Sequence, residues 1–117
     1  MTPAALARAT FLGLGCSIAD AVDALVQIHG QPANVYLVGG GARSRTIRQV
    51  VADLTGQTVE WPVHREHAAY GAARQAAWAL TGVLPEWRGR PSRRTEPGPD
   101  LDWVQVVRDH YRALRGR

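Results

Sequence analysis

The chain has 117 residues, 14 arginines, no lysine and a formal net charge of +4, so it is one domain at most, with a modest core. Its arginines are spread along the chain with little aromatic interleaving, which argues against nucleic-acid binding. The single cysteine, Cys16, excludes an internal disulfide. No segment resembles a signal peptide or a run of roughly 20 apolar residues, so we expect a cytoplasmic protein that does not enter a membrane.

The first predicted element is a long amphipathic helix over residues 4–29, between Pro3 and Gly30. Gly13 and Gly15 each cost this helix about 1 kcal/mol relative to alanine, which indicates a bend or a close packing contact. Cys16 is expected to be a small buried residue, and Asp20 and Asp23 to lie off the packed face. The predicted apolar stripe consists of residues at helical spacing: Leu14, Ile18, Val22, Leu25 and Val26.

The middle of the chain alternates strand and helix. Residues 35–38 contain no polar side chain to face water, which predicts a buried strand. A helix over Ile47–Leu54, a strand over Thr58–Val63 and a helix over Ala68–Leu80 follow. This order predicts a right-handed crossover between two parallel strands. A two-stranded sheet is marginal in water, so self-association or a second chain is expected to cover its exposed edges.

The last part of the chain changes character. Proline, glycine and arginine dominate residues 83–99 and predict a surface loop. Asp100 or Asp102 is expected to cap a closing helix that ends near Leu114, and the arginines after residue 111 complement its dipole. The expected apolar side of that helix consists of Trp103, Val106, Val107, His110, Tyr111 and Leu114.

Three glycines directly after the first strand, followed by Ser44 or Thr46 at a helix N-cap position, predict an anion-binding corner. Glycine lets a ligand approach the backbone, and the first N–H groups of a helix are unpaired. The run is not G-x-G-x-x-G, because position 44 is serine. It is not a phosphate-binding loop of the Walker type, because the chain has no lysine. Taken alone, the glycines also fit a tight turn that only joins strand to helix.

Four blocks extend this interpretation: Leu6–Ala9, Leu37–Ser44, Arg48–Gln57 and Ala69–Arg74. In order and spacing they resemble the C-terminal part of the FGGY carbohydrate kinases, and the xylulokinase members most closely. The resemblance implies an α/β fold, a partial actin/hexokinase-superfamily (ribonuclease H-like) half-domain with a short parallel sheet flanked by helices. It divides the chain into an incomplete ATP-binding subdomain over 1–84, a Pro/Gly/Arg loop over 85–99 and a closing helix over 100–117. Three further strands are expected upstream of the first helix.

The resemblance also implies a site. Gly39, Gly40, Gly41 and Ala42 would border the adenine, ribose and α-phosphate of ATP, with Arg43 and Ser44 at the rim, although Ser44 also fits a helix cap. A side chain at Gly40 would fill ligand space, and a β-branched one would also strain the backbone. Asp53, one helical turn after Gln49, is expected to make a structural bond with Arg48 or Gln57. His64, Glu66 and His67 lack a fourth ligand, so no metal site is assigned.

No residue is assigned to catalysis. In FGGY kinases the catalytic aspartate and the phosphate loops lie upstream of this region, and we expect the Mg²⁺ ligands there as well. The complete enzyme would transfer the ATP γ-phosphate to a sugar, D-xylulose, which binds only with the upstream lobe. This chain alone is expected to be inactive. The alternatives are another FGGY kinase of the glycerol, ribulose or gluconate type, and a non-catalytic nucleotide-binding or interaction remnant.

Overall fold

The computed structural model describes residues 1–63, 66–87 and 91–116. His64 of the group weighed as a metal site, its neighbour Arg65, part of the predicted loop (88–90) and Arg117 lie outside the described residues. Within the described ranges the chain is a mixed α/β structure of four helices, three strands and one 3-10 turn. In chain order these are α1 (Pro3–His29), β1 (Val35–Tyr36), the 3-10 turn (Gly40–Arg43), α2 (Arg45–Thr55), β2 (Val59–Pro62), α3 (His67–Thr81), β3 (Ser92–Thr95) and α4 (Asp102–Arg115).

The helices begin and end where their capping chemistry places them. Thr2 caps α1 by accepting a hydrogen bond from the Ala5 N–H at 3.2 Å. Gly56 and Gly82 follow α2 and α3 with φ of 66° and 72°, the left-handed conformation that glycine favours. The first three predicted helices are therefore confirmed. The closing helix α4 is present as well, and its predicted cap is confirmed in part: Leu101 occupies the N-cap position without a side-chain cap, but Asp100 Oδ1 accepts a hydrogen bond from the N–H of Asp102, the first helical residue, at 3.2 Å.

The sheet has the order β1-β2-β3. The strands β1 and β2 are parallel, with Val35 opposite Val59, which confirms the predicted crossover pairing. The strand β3 pairs antiparallel with β2, with Thr95 opposite Val59. Residues 92–95 were predicted as loop, and this was wrong: Glu60 binds Ser92 and Arg94 and so favours strand pairing there. Thus the chain itself covers one edge of β2.

The prediction of a fully buried first strand over 35–38 was also wrong. The ladder includes only Val35 and Tyr36, and Tyr36 and Val38 are 59% and 55% exposed. Val35 and Leu37 point to the other face, where they pack on Val51 and its buried neighbours. The reason is that α2 covers one face of the sheet, whereas α3 buries none of its residues. The alanine-rich helix α3 is therefore not packed closely against the described part of the chain.

The core lies where α1, α2 and α4 meet. Cys16, Ala19 and Leu54 are buried there, and Cys16 is 1% exposed as predicted. A Cβ atom at Gly15 would lie 2.4 Å from Cγ1 of Val50, which confirms a close helix contact. The predicted stripe of α1 was partly wrong, because Leu14 and Leu25 are exposed. Gly15, Cys16 and Ala19 form the packed face instead, because their small side chains allow α2 to approach closely.

Ion pairs attach α4 to α1. The guanidinium of Arg108, which is 8% exposed, donates to Asp20 at 2.9 Å and to Asp23. Arg112 and Arg115 also contact Asp20. The prediction that Asp20 and Asp23 lie off the packed face is therefore wrong. The hydrogen bond from Arg108 lowers the pKa of Asp20. Burial would lower the pKa of Arg108, but its hydrogen bonds to the two aspartates outweigh burial and raise it.

The molecule is extended. Its radius of gyration is 17.3 Å, against about 13 Å for a compact domain of this length. Many apolar side chains of α1 consequently face solvent. Contrary to our expectation from the sequence, α1 is long and apolar enough to cross a membrane, with a mean hydropathy of 1.5 over its most apolar window. A core helix passes the same test, and Gly15, Cys16 and Ala19 of α1 are buried against the other helices.

Candidate nucleotide site at the glycine turn

The glycine run reverses the chain between β1 and α2. Gly39 adopts φ 89° and ψ −170°, a region of backbone space that is essentially restricted to glycine. The Ala42 N–H donates to the Gly39 carbonyl at 3.2 Å, and the Ser44 N–H donates to the Gly41 carbonyl at 3.0 Å. Gly39 is thus the residue that the turn requires to be glycine for conformational reasons.

Ser44 caps α2, which is one of the two roles predicted for this residue from the sequence. Its Oγ accepts a hydrogen bond from the Ile47 N–H at 3.3 Å, and its carbonyl accepts from the Arg48 N–H at 3.1 Å. The hydroxyl therefore satisfies one of the donors that the first turn of α2 leaves free.

The next two glycines have space around them. Among the described residues, a Cβ at Gly40 would meet no heavy atom within 4 Å, and one at Gly41 would lie 3.8 Å from Cδ1 of Ile47. The φ angle of Gly40 is not positive, so the expectation that Gly40 also carries a backbone constraint is wrong. A side chain there would project into open space beside the turn, which is the volume that a ligand on the turn would share.

A cleft of about 250 Å³ opens beside the turn. The predicted site residues Gly39, Ala42 and Arg43 form one wall. None of the remaining lining residues was found from the sequence: Arg48 comes from α2, and a second wall consists of Trp61, Pro62 and Val63 at the end of β2. The crossover explains their position, since β2 is parallel to β1 and both strands end at the same edge of the sheet. The predicted order of strand, glycine turn, helix and parallel strand could have indicated that the end of β2 lies beside the turn.

Arg48 joins the two walls. Its Nη1 donates to the carbonyl oxygens of Ala42 and Arg43, at 2.6 and 3.0 Å. Its guanidinium carbon lies 3.9 Å from the centroid of the Trp61 ring, a cation–π contact. The Trp61 Nε1 donates in turn to Thr95 Oγ1 at 3.2 Å. A continuous series of contacts therefore extends from β3 through β2 and α2 to the glycine turn.

The polar residues of α2 serve the fold. Asp53 Oδ1 accepts hydrogen bonds from the Gln49 side chain at 2.9 Å and from the Gly98 N–H at 2.8 Å. Gln49 also donates to the Glu96 carbonyl at 3.0 Å. Asp53 thus makes the structural bond that was expected, but with different partners from Arg48 and Gln57. These bonds fix the segment between β3 and α4 against α2.

Comparison with known proteins decides the family. The family model of the "FGGY family of carbohydrate kinases, C-terminal domain" matches residues 1–80. This chain belongs to the FGGY carbohydrate kinases. It is 39% identical over 110 residues to the xylulose kinase of Streptomyces coelicolor, a match that covers 89% of this chain and 22% of that protein. A glycerol kinase of Pseudomonas fluorescens is 36% identical over 84% of this chain and 20% of its own length.

Two crystal structures of xylulose kinases share the fold. The xylulose kinase from Bifidobacterium adolescentis is 34% identical with a TM-score of 0.65, and the match covers 99% of this chain and 24% of that one. The xylulose kinase from Rhodospirillum rubrum has a TM-score of 0.79 at 22% identity, covering 99% and 25%. The actin/hexokinase-like fold expected from the sequence is confirmed. The chain spans about a quarter or less of the length of these relatives.

Proposed function

We propose that this chain is the nucleotide-side portion of a sugar kinase of the xylulokinase type, in which the glycine turn borders the adenosine and α-phosphate of ATP. The observation that supports this most is the open space around Gly40, in the turn that leads into a helix N-terminus. Backbone N–H groups at such a terminus favour anions. Gly39–Ala42 form the floor of the proposed site, with Arg43 and Ser44 at its rim.

The proposed reaction transfers the γ-phosphate of ATP to a hydroxyl of D-xylulose. Phosphoryl transfer requires a base on the accepting hydroxyl and Mg²⁺ on the phosphates. None of the described aspartates is proposed for either role, because none lines the cleft beside the glycine turn; Asp20 and Asp23 bind Arg108, and Asp53 accepts from the Gly98 N–H. The chain's contribution is to hold the nucleotide, and the base and Mg²⁺ ligands are proposed to come from further protein.

A second substrate class has its own support. The chain matches a glycerol kinase nearly as well as it matches xylulose kinases. The described residues of the glycine turn and its cleft are proposed to contact the nucleotide, so they do not distinguish one acceptor from another. A different polyol or ketose acceptor is therefore the alternative. We also propose a cytoplasmic location, since the relatives' names denote metabolic kinases.

A chimaeric enzyme tests the function. The chain replaces the matching segment of the Streptomyces coelicolor xylulose kinase, and ADP release is measured with D-xylulose, glycerol and other acceptors. We expect turnover within the ordinary kinase range, about 1–100 s⁻¹, only in the chimaera. The isolated chain is expected to show none. Turnover by the isolated chain would contradict the assignment of the base to another part of the protein, and an inactive but folded chimaera would contradict the proposal.

A further inference from the structure

We propose that Arg48 is the positioning residue of the nucleotide site: stacked on Trp61, it fixes the last two carbonyls of the 3-10 turn and thereby the surface on which the nucleotide lies. This inference rests on the proposed function. Arg48 itself need not touch the nucleotide. Its contacts are to the turn's backbone and to an aromatic ring of β2.

The position of Arg48 in its helix calls for a specific partner. It lies in the first turn of α2, where no acidic residue is present and where a positive side chain opposes the helix dipole. The two carbonyl oxygens, at 2.6 and 3.0 Å, compensate for this because they accept hydrogen bonds from the same nitrogen. Ala42, which provides one of them, is 5% exposed, so its carbonyl depends on a protein donor rather than on water.

Trp61 determines where the guanidinium can lie. A planar guanidinium stacks on an aromatic face and keeps its N–H groups at the edge for hydrogen bonds, which a lysine ammonium does not reproduce. The indole is itself held by Thr95 of β3. The turn is thus fixed relative to the sheet by a side chain from α2, instead of depending on Gly39–Gly41 alone, which have little conformational preference of their own.

The chain offers a matched control. Arg93 also lies over the Trp61 ring, with its guanidinium carbon 5.6 Å from the centroid, but it is on β3 and exposed. Arg93→Met removes a positive charge next to the same ring and leaves the turn's hydrogen bonds in place. Arg48→Met removes both the charge and the bonds. The difference between the two variants isolates the effect of holding the turn.

The first measurement is hydrogen–deuterium exchange on the full 117-residue chain. In Arg48→Met we expect the amides of residues 39–44 to exchange about tenfold faster or more, while the buried segments of α1 and α2 keep their protection. Arg48→Lys is expected to be intermediate, and Arg93→Met to match the unaltered chain. Trp61→Leu should reproduce part of the Arg48→Met effect, and Trp61→Phe should restore protection because it keeps an aromatic face. Unchanged exchange in Arg48→Met would overturn the proposal.

The second measurement is the kinetics of the chimaera. A misplacement of about 1 Å costs up to about 100-fold in a positioned site, so Arg48→Met should raise KM for ATP at least about tenfold and leave KM for D-xylulose unchanged. A faster-exchanging turn with an unchanged KM for ATP would reduce Arg48 to a purely structural role and overturn the inference. Failure of the proposed function would give a different result. In that case Gly40→Val would leave KM for ATP unchanged, whatever the effect of Arg48→Met on hydrogen–deuterium exchange in the turn.

Discussion

Substitutions at adjacent glycines separate a ligand-binding turn from a turn that only connects two elements. Gly39 and Gly40 are neighbours, but Gly39 has a φ of 89° and Gly40 has no positive φ. Neither would place a Cβ within 4 Å of another heavy atom in the part of the chain that the structure describes. A side chain at Gly39 therefore disturbs the backbone, whereas a side chain at Gly40 disturbs only what lies on the turn.

The expected magnitudes differ accordingly. Gly39→Ala forces a non-glycine residue into a region that costs about 1–3 kcal/mol, and a chain of this size loses about 4 °C of Tm per kcal/mol. Gly40→Val should change the free energy of unfolding by less than about 1 kcal/mol, as a surface substitution without strain does. If adenosine lies on the turn, the valine methyl groups occupy its volume, and KM for ATP should rise at least about tenfold, or about 1.4 kcal/mol.

Two assays are needed. Thermal unfolding of the 117-residue chain gives the stability of each variant, and the chimaeric enzyme gives KM for ATP and for D-xylulose separately. Gly40→Val should raise only KM for ATP, while Gly39→Ala should lower Tm. A Gly40→Val enzyme with normal Tm and normal KM for ATP would refute the nucleotide site, because the valine would then occupy the proposed ligand volume without effect.

Three further outcomes are expected. Gly15→Ala should destabilise the chain by about 1–3 kcal/mol through overpacking against α2, partly offset by the better helix propensity of alanine. Gly13→Ala, where the added Cβ meets no described neighbour, should instead stabilise the chain by up to about 1 kcal/mol. Denaturant unfolding measures both free energies, and equal changes in the two variants would disprove the close contact at Gly15. Arg108→Met should cost about 2–3 kcal/mol, because it removes the buried donor that Asp20, Asp23 and the Leu54 carbonyl share and leaves Asp20 and Asp23 to the more exposed arginines of α4, against less than about 1 kcal/mol for the exposed Arg112→Met. The lowered pKa of Asp20 contributes stability that is present above the ordinary carboxyl pKa, 3.8, and is lost as pH falls through the folded pKa. The difference in unfolding free energy between the unaltered chain and Arg108→Met should therefore become smaller below about pH 4. A difference that stays constant with pH would exclude Asp20 as the partner of Arg108.

The sequence predicted the elements whose signals are local. Helix boundaries followed from Pro3, Ser44 and the glycines at 56 and 82, because a cap requires only a few neighbouring residues. The turn could be located for the same reason. The parallel pairing of β1 and β2 also followed, since a strand–helix–strand unit has one favoured handedness.

The errors concern contacts between distant segments. The strand β3 lies in a stretch dominated by turn-forming residues and depends on Glu60, more than 30 positions earlier, which accepts hydrogen bonds from Ser92 and Arg94. The hydrogen bond from Ser92 and those from Arg94 lower the pKa of Glu60. Arg48 and Trp61 were missed for a similar reason, because neither residue type signals a site until β2 ends beside the glycine turn. Apolar periodicity likewise misplaced the packed face of α1, where small residues and ion pairs determine the contact.

The contacts of the turn bear on how the site is maintained in so extended a chain. A glycine-rich backbone is open to ligand because it lacks side chains, and for the same reason it lacks the packing that would hold it in place. Here Ser44 fixes the start of α2, and Arg48 fixes the carbonyls immediately before it. Both contacts approach the turn from the α2 side and leave the face of Gly40 free. The turn is thus fixed on one side and open on the other, which is the arrangement that binding a nucleotide against backbone requires.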